Sequence, residues 1–77
     1  MIKLTLQNST LLNEVTFIVN QNLHTVRKNL PVSLELDKVE FVGVEAKECD
    51  GDFMVYNLSK DINFRCTQLG NKLRIAF

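Results

Sequence analysis

Seventy-seven residues leave room for one domain, and a 45% hydrophobic, 23% charged composition belongs to a folded protein rather than a disordered or collagen-like chain. Nine Lys and Arg balance nine Asp and Glu, which excludes a strongly charged tail and argues against a dedicated nucleic-acid binder. No apolar run approaches the ~18 residues of a membrane-spanning helix, and the alternating amino end does not resemble a signal peptide.

In chain order, Ile2, Leu4 and Leu6 alternate with Lys3 and Thr5, the two-residue period of a half-buried strand. Asn8, Ser9 and Thr10 form a polar break rich in helix N-cap residues. From there the period changes. Leu11, Leu12, Val15, Ile18, Val19, Leu23, Val26 and Leu30 recur at spacings of three and four, which predicts an amphipathic helix. Asn13, Glu14, Gln21, His24, Arg27 and Lys28 fall mainly on its other face. Glu14 suits the positive end of such a helix, and Arg27 and Lys28 the negative end. Asn29 suits a left-handed C-cap, with Pro31 just beyond. The β-branched residues Val15, Thr16, Ile18 and Val19 are the dissenting signal.

After Pro31 the pattern is of strands. Val32, Leu34 and Leu36 alternate with polar residues, and Asp37-Lys38 offers a turn. Val39 and Phe41 continue, then the apolar phase slips to Val42, Val44 and Ala46, as a β-bulge near Gly43 would leave it. Asp50-Gly51 predicts a hairpin turn. Phe53 to Leu58 is nearly continuously apolar, as expected of a central strand, and Tyr56 and the phenylalanines of the chain are expected in core phase. Ile62, Phe64 and Cys66 alternate with Asn63 and Arg65; Gly70-Asn71 then turns the chain into Leu73, Ile75 and Phe77.

The expected fold is α+β: a single domain over 1–77, one amphipathic helix packed on a mainly antiparallel sheet of four to five strands, in the order β-α-β-β-β-β. The first strand, the helix and the next strand would make a crossover, right-handed if those strands run parallel. A two-layer sandwich of this size buries only ~60% of its unfolded surface. A homo-oligomer or a docked partner is the expected source of extra support. Cys49 and Cys66 permit at most one bridge, and without a secretory signal they are expected as free thiols in a cytoplasmic protein.

Charge is uneven along the chain. Residues 35–52 hold seven acids against Lys38 and Lys47, whereas the flanking segments are net basic. Glu40, Glu45, Glu48, Asp50 and Asp52 are the candidate partner-facing acidic patch, set against the plainer reading of a solvated strand edge. Arg65, Lys72 and Arg74 alternate with apolar residues and form a candidate basic patch on the terminal hairpin, able to meet a phosphate backbone.

Chemistry is thinly represented. His24, Cys49 and Cys66 share no ligand spacing, and the acidic stretch from Glu48 to Asp52 lacks the ligand ladder of a calcium loop, so no metal is expected. Neither cysteine sits in a nucleophile elbow, and Gly43, Gly51 and Gly70 do not form a phosphate cradle, so neither an enzyme nor a cofactor is expected. The sequons Asn8-Ser9-Thr10 and Asn57-Leu58-Ser59 carry no meaning without a secretory signal.

The segment Leu34-Glu35-Leu36-Asp37-Lys38-Val39-Glu40-Phe41-Val42, behind its predicted helix, resembles the central strand of sulfate-transporter and anti-sigma-factor-antagonist (STAS) domains. In those domains an apolar strand leads into a phosphorylatable Asp-Ser turn. Glu35 stands at the family's acidic position, but Gly43, Val44 and Glu45 occupy the place of its Asp and serines. The resemblance, over roughly twenty residues, implies a regulatory domain without the phosphoacceptor.

By elimination the expected function is a small non-enzymatic protein-binding module, a regulator, adaptor or inhibitor. It would act through an exposed sheet edge or an apolar patch, with the acidic stretch steering its partner. The alternatives are the STAS-like domain and a weak nucleic-acid binder using the terminal basic hairpin.

Overall fold

The computed structural model describes residues 1–58 and 60–77, with the backbone alone for Tyr56 and Leu58. The described residues form eight strands: β1 (Ile2–Asn8), β2 (Glu14–Val19), β3 (Asn22–Arg27), β4 (Val32–Leu36), β5 (Val39–Ala46), β6 (Cys49–Leu58), β7 (Ile62–Leu69) and β8 (Lys72–Ala76). They make one mixed sheet in the order β3-β2-β5-β6-β8-β7-β1-β4. Asn8 at the end of β1 pairs with Lys28, just past β3, so the sheet curls into a nearly closed barrel. The fold is all-β. This corrects the expected α+β sandwich of one helix on four to five strands: no helix occurs among the described residues.

The predicted helix is a hairpin. Its two strands pair in register from Glu14↔Arg27 to Val19↔Asn22, and the two residues between them, Asn20 (φ 48°) and Gln21 (φ 77°), are both left-handed. That is the backbone of a type I′ turn, whose twist matches the strands it joins. Asn20 is also tied down by its side chain, which donates to the Lys38 carbonyl at 2.8 Å and accepts from the Glu40 N–H at 2.8 Å. Glu14 and Arg27 do not serve helix ends; they face each other across the hairpin, 3.7 Å apart and exposed. Asn29 is left-handed (φ 63°), in the turn leading to β4. The β-branched run prevailed because pairing on both sides of β2, with β3 and with β5, satisfies its backbone and buries its alternate side chains.

Other local readings shift with it. β4 lies antiparallel to β1, from Ile2↔Leu36 to Leu6↔Val32, so the expected crossover does not exist. Asp50-Gly51 is not a turn: Ala46↔Cys49 closes the hairpin around residues 47–48, and Asp50-Gly51 sits at an irregularity inside β6. The glycine is obligatory there, since a Cβ on Gly51 would lie 2.5 Å from the Val44 carbonyl oxygen. The ladder runs unbroken through Gly43, with irregularities on either side of it. The STAS resemblance does not extend to the fold: Leu34 and Leu36 belong to the edge strand β4, Val39 and Phe41 to the inner strand β5, and no helix precedes them.

The barrel interior is filled by apolar residues from most of its strands, with Phe17 and Phe64 its largest fully buried members. One end is sealed by residues 9–13. Asn8, nearly buried, accepts from the Thr10 N–H at 3.0 Å and its hydroxyl at 2.6 Å, and donates to the Leu12 carbonyl at 3.1 Å. The Ser9 N–H donates to the Cys66 carbonyl at 2.8 Å and the Leu11 N–H to Gln68 Oε1 at 3.2 Å, locking this loop to β7. A buried amide with its hydrogen-bonding capacity used holds the barrel's mouth in place instead of destabilising it.

Candidate functional site

With Phe17, Val19, Val42 and Val44 turned into the barrel, the residues between them face outward. Registers then draw one row across four strands: Leu23 opposite Ile18, Ile18 opposite Gly43, and Gly43 opposite Phe53. Phe41 and Val55 form the next pair on the same face. Gly43 contributes no side chain, and the Phe41 ring leans over it, its Cε1 3.1 Å from where a Cβ would stand. Phe41 and Phe53 stack with centroids 6.0 Å apart and planes 19° from parallel. The result is an apolar outer face, with Phe53 67% and Val55 80% exposed. An open groove of about 430 Å³ runs over Gly43, with Ile18, Phe41 and Phe53 on its apolar side and Glu45 and Asp50 on its acidic side.

The acidic candidates separate into three groups. Glu45, Glu48 and Asp50 gather at the end of the β5–β6 hairpin beside this face, all exposed. Glu40 is at the other end of β5, some five residues or ~17 Å away, in an ion pair with Lys38 at 2.9 Å. That carboxylate, by hydrogen bond and charge, raises the Lys38 ammonium above its ordinary pKa. Asp52 turns inward: its Oδ2 accepts from the Ile75 N–H at 3.1 Å and its Oδ1 from the Phe53 N–H at 2.9 Å. Asp52 is therefore a strut between β6 and β8, which are otherwise paired at Asp50↔Lys72.

The basic candidates share one outer face. Thr67↔Arg74, Leu69↔Lys72 and Arg65↔Ala76 are opposite pairs in the β7–β8 hairpin, and Arg65, Lys72 and Arg74 are all exposed. Arg65 Nη2 also donates to the Phe77 carbonyl at 3.4 Å. Lys72 stands level with Asp50 on the neighbouring strand, so the basic face begins where the acidic one ends.

The sequence placed Phe41 and Phe53 in the core, and the apolar outer face was missed. Its signals were present: the phase slip from Phe41 to Val42 and the unbroken apolar run from Phe53 both place side chains on the two faces of one strand. The expected core placing of Tyr56 concerns a side chain outside the described residues, as does Ser59 of the second sequon.

Residues with reactive side chains are dispersed. His24 faces inward on β3, opposite Phe17 and half-buried, not on a polar helix face. Cys49 and Cys66 are unbonded to each other. Cys66 is fully buried, and burial pushes its thiol up to about 12, with nearby Cys49 and Asp52 adding to the effect. Among the described residues no three His, Cys, Asp or Glu side chains converge on a point that could hold a metal ion. A second hollow, of about 320 Å³ near Asn8 and Pro31, presents mostly polar loop atoms and no titratable group.

Neither a family model, nor a curated protein, nor a solved structure matches this chain significantly.

Proposed function

We propose that this chain is a non-enzymatic protein-binding module, a regulator, adaptor or inhibitor, whose contact surface is the outer face of β2, β5 and β6. The observation that carries this reading is the row Leu23, Ile18, Gly43, Phe53 with its neighbours Phe41 and Val55, apolar and outward on a barrel whose core is filled from the other side. Contiguous exposed apolar area of this kind marks interaction surfaces. The stacked rings are rigid anchors around a glycine-floored groove, the arrangement in which a few aromatic side chains supply most of an interface's affinity. Glu45, Glu48 and Asp50 on the rim then govern orientation and the rate of encounter more than affinity.

Nucleic acid fits this face less well. Lys72 and Arg74 lie on the strand beside Phe53, but a base stacked on that ring would bring its phosphates against Glu45 and Asp50, which line the ring's groove.

The reading is tested with a photo-crosslinking amino acid placed at Val55, with Ser33 on the distant edge strand β4 as control, in cells of the native host. A protein adduct from position 55 and none from 33 supports it. No protein adduct from position 55 overturns it.

A further inference from the structure

The charged residues flanking the apolar face are arranged in a way that selects its partner. β6 carries the exposed centre, Phe53 and Val55. On one side, β5 presents Glu45; on the other, β8 presents Lys72 and Arg74, all facing outward. Among the described residues, none of Glu45, Asp50, Lys72 and Arg74 takes part in an ion pair within the chain. A two-fold axis lying in the contact plane along β6 superimposes the β5 side of one copy on the β8 side of the other. Phe53 and Val55 then meet their own counterparts, while each Glu45 meets the second copy's Lys72, and Arg74 approaches the aromatic pair of the facing molecule.

We propose that the partner bound by this face is a second copy of the same chain, in an isologous two-fold dimer centred on Phe53 and Val55; the inference rests on the protein-binding reading of the face given above. An isologous interface must be complementary to itself. This face satisfies that requirement with an apolar centre and with opposite signs on the strands flanking the axis, acid on β5 and base on β8; Asp50, on β6 itself, stands level with Lys72 of its own chain, which offsets its charge at the axis. The chain's net charge of zero leaves no overall repulsion between copies. Size agrees as well. A specific interface takes ~800 Å² from each partner, about a sixth of the 5156 Å² this chain exposes, and a barrel this small gains from the added burial.

Sedimentation velocity across a concentration series provides the test, with far-UV circular dichroism to establish that each variant is folded. The wild-type chain is expected to pass from monomer to dimer, and Phe53→Glu, which sets two carboxylates on the axis, to remain monomeric. Glu45→Lys alone and Lys72→Glu alone should each weaken the dimer roughly tenfold or more, by opposing like charges at two equivalent sites. An equimolar mixture of the two variants should recover it, because each chain then offers what the other lacks at both sites. Recovery on mixing supports the proposal and cannot come from a folding defect. A wild-type chain that stays monomeric, or a dimer indifferent to Phe53→Glu and to mixing, overturns it. In that event a crosslink from Val55 to a different protein keeps the protein-binding reading intact, and the absence of any crosslink removes both.

Discussion

The Asp52 carboxylate accepts the Ile75 backbone N–H at 3.1 Å, reaching from β6 to β8 across a seam where, among the described residues, the two strands pair at Asp50 and Lys72. A side chain here does what a ladder bond would do elsewhere. Removing it leaves a backbone donor with no protein partner, and bonds to a charged acceptor contribute about 1.5–3 kcal/mol. Asp52→Ala should lower stability by about that much, and Asp52→Asn, which keeps one acceptor oxygen, by less. Urea titration of the two variants checks the order.

Phe17 and Ile18 distinguish the strand from the helix it replaced. Phe17 is fully buried between Val15 and Val19, whereas Ile18 faces outward and is half-buried. Truncating a buried Phe removes about 3–5 kcal/mol, so Phe17→Ala should abolish cooperative unfolding or shift it by that amount. Ile18→Asn, on the outer face, should cost no more than about 1 kcal/mol. A helix with Ile18 on its buried stripe would reverse the order in thermal melts.

Gly51 and Gly70 should respond unequally to alanine. At Gly51 the added Cβ meets the Val44 carbonyl oxygen at 2.5 Å, so the β5–β6 backbone must part, whereas at Gly70 (φ 62°) nothing lies within 4 Å. Gly70→Ala bears only the left-handed strain of about 1–2 kcal/mol. Gly51→Ala should be the more destabilising of the two, and amide exchange should quicken locally along residues 44–52.

The buried thiol of Cys66 predicts an alkaline weakness. Its folded pKa, pushed up to about 12, lies above the ordinary 9.0, so between these values the unfolded chain releases a proton that the folded chain retains. Stability is therefore fully present below about pH 9 and falls as pH rises toward 12. Cys66→Ala should flatten this decline relative to the wild type in denaturant titrations from pH 8 to 10.5, conditions chosen with roughly one unit of margin about the ordinary thiol pKa. Cys49, half-buried, should react with a thiol reagent before Cys66 does.

Much of the strand content was legible because it depends on close neighbours. Ile2, Leu4 and Leu6 alternate and form β1; Val32, Leu34 and Leu36 form β4; the chain turns at Gly70-Asn71. The segment from Leu11 to Leu30 was misread because residues four apart, such as Val15 and Val19, share a face in a strand as well as in a helix. Phe17 held the distinction: it falls off the helical stripe, yet it is among the largest residues of the core. Four members of the stripe are instead cross-strand partners, Val15 with Val26 and Ile18 with Leu23, brought together by the turn at Asn20-Gln21.

The charged candidates divide on the same principle. That Arg65, Lys72 and Arg74 lie on one face follows from alternation along two strands joined by a tight turn, a local matter. That Glu40 pairs with Lys38, that Asp52 is consumed as a strut and that Glu45 and Asp50 flank an aromatic groove depends on which strands become neighbours.

The sequence by itself determined which side chains alternate, where several turns fall and how charge is distributed, because these are set by backbone sterics and by residues a few positions apart. Only the tertiary structure decided that β1 runs parallel to β7, that β6 lies beside β8, and that Phe41 and Phe53 meet over Gly43 on the outside of the barrel. Those pairings join residues far apart in the chain, where a strand gains backbone hydrogen bonds from whichever neighbour the closed barrel supplies. A strand pairs through its backbone, so its own side chains do not name its neighbour; closing the sheet does.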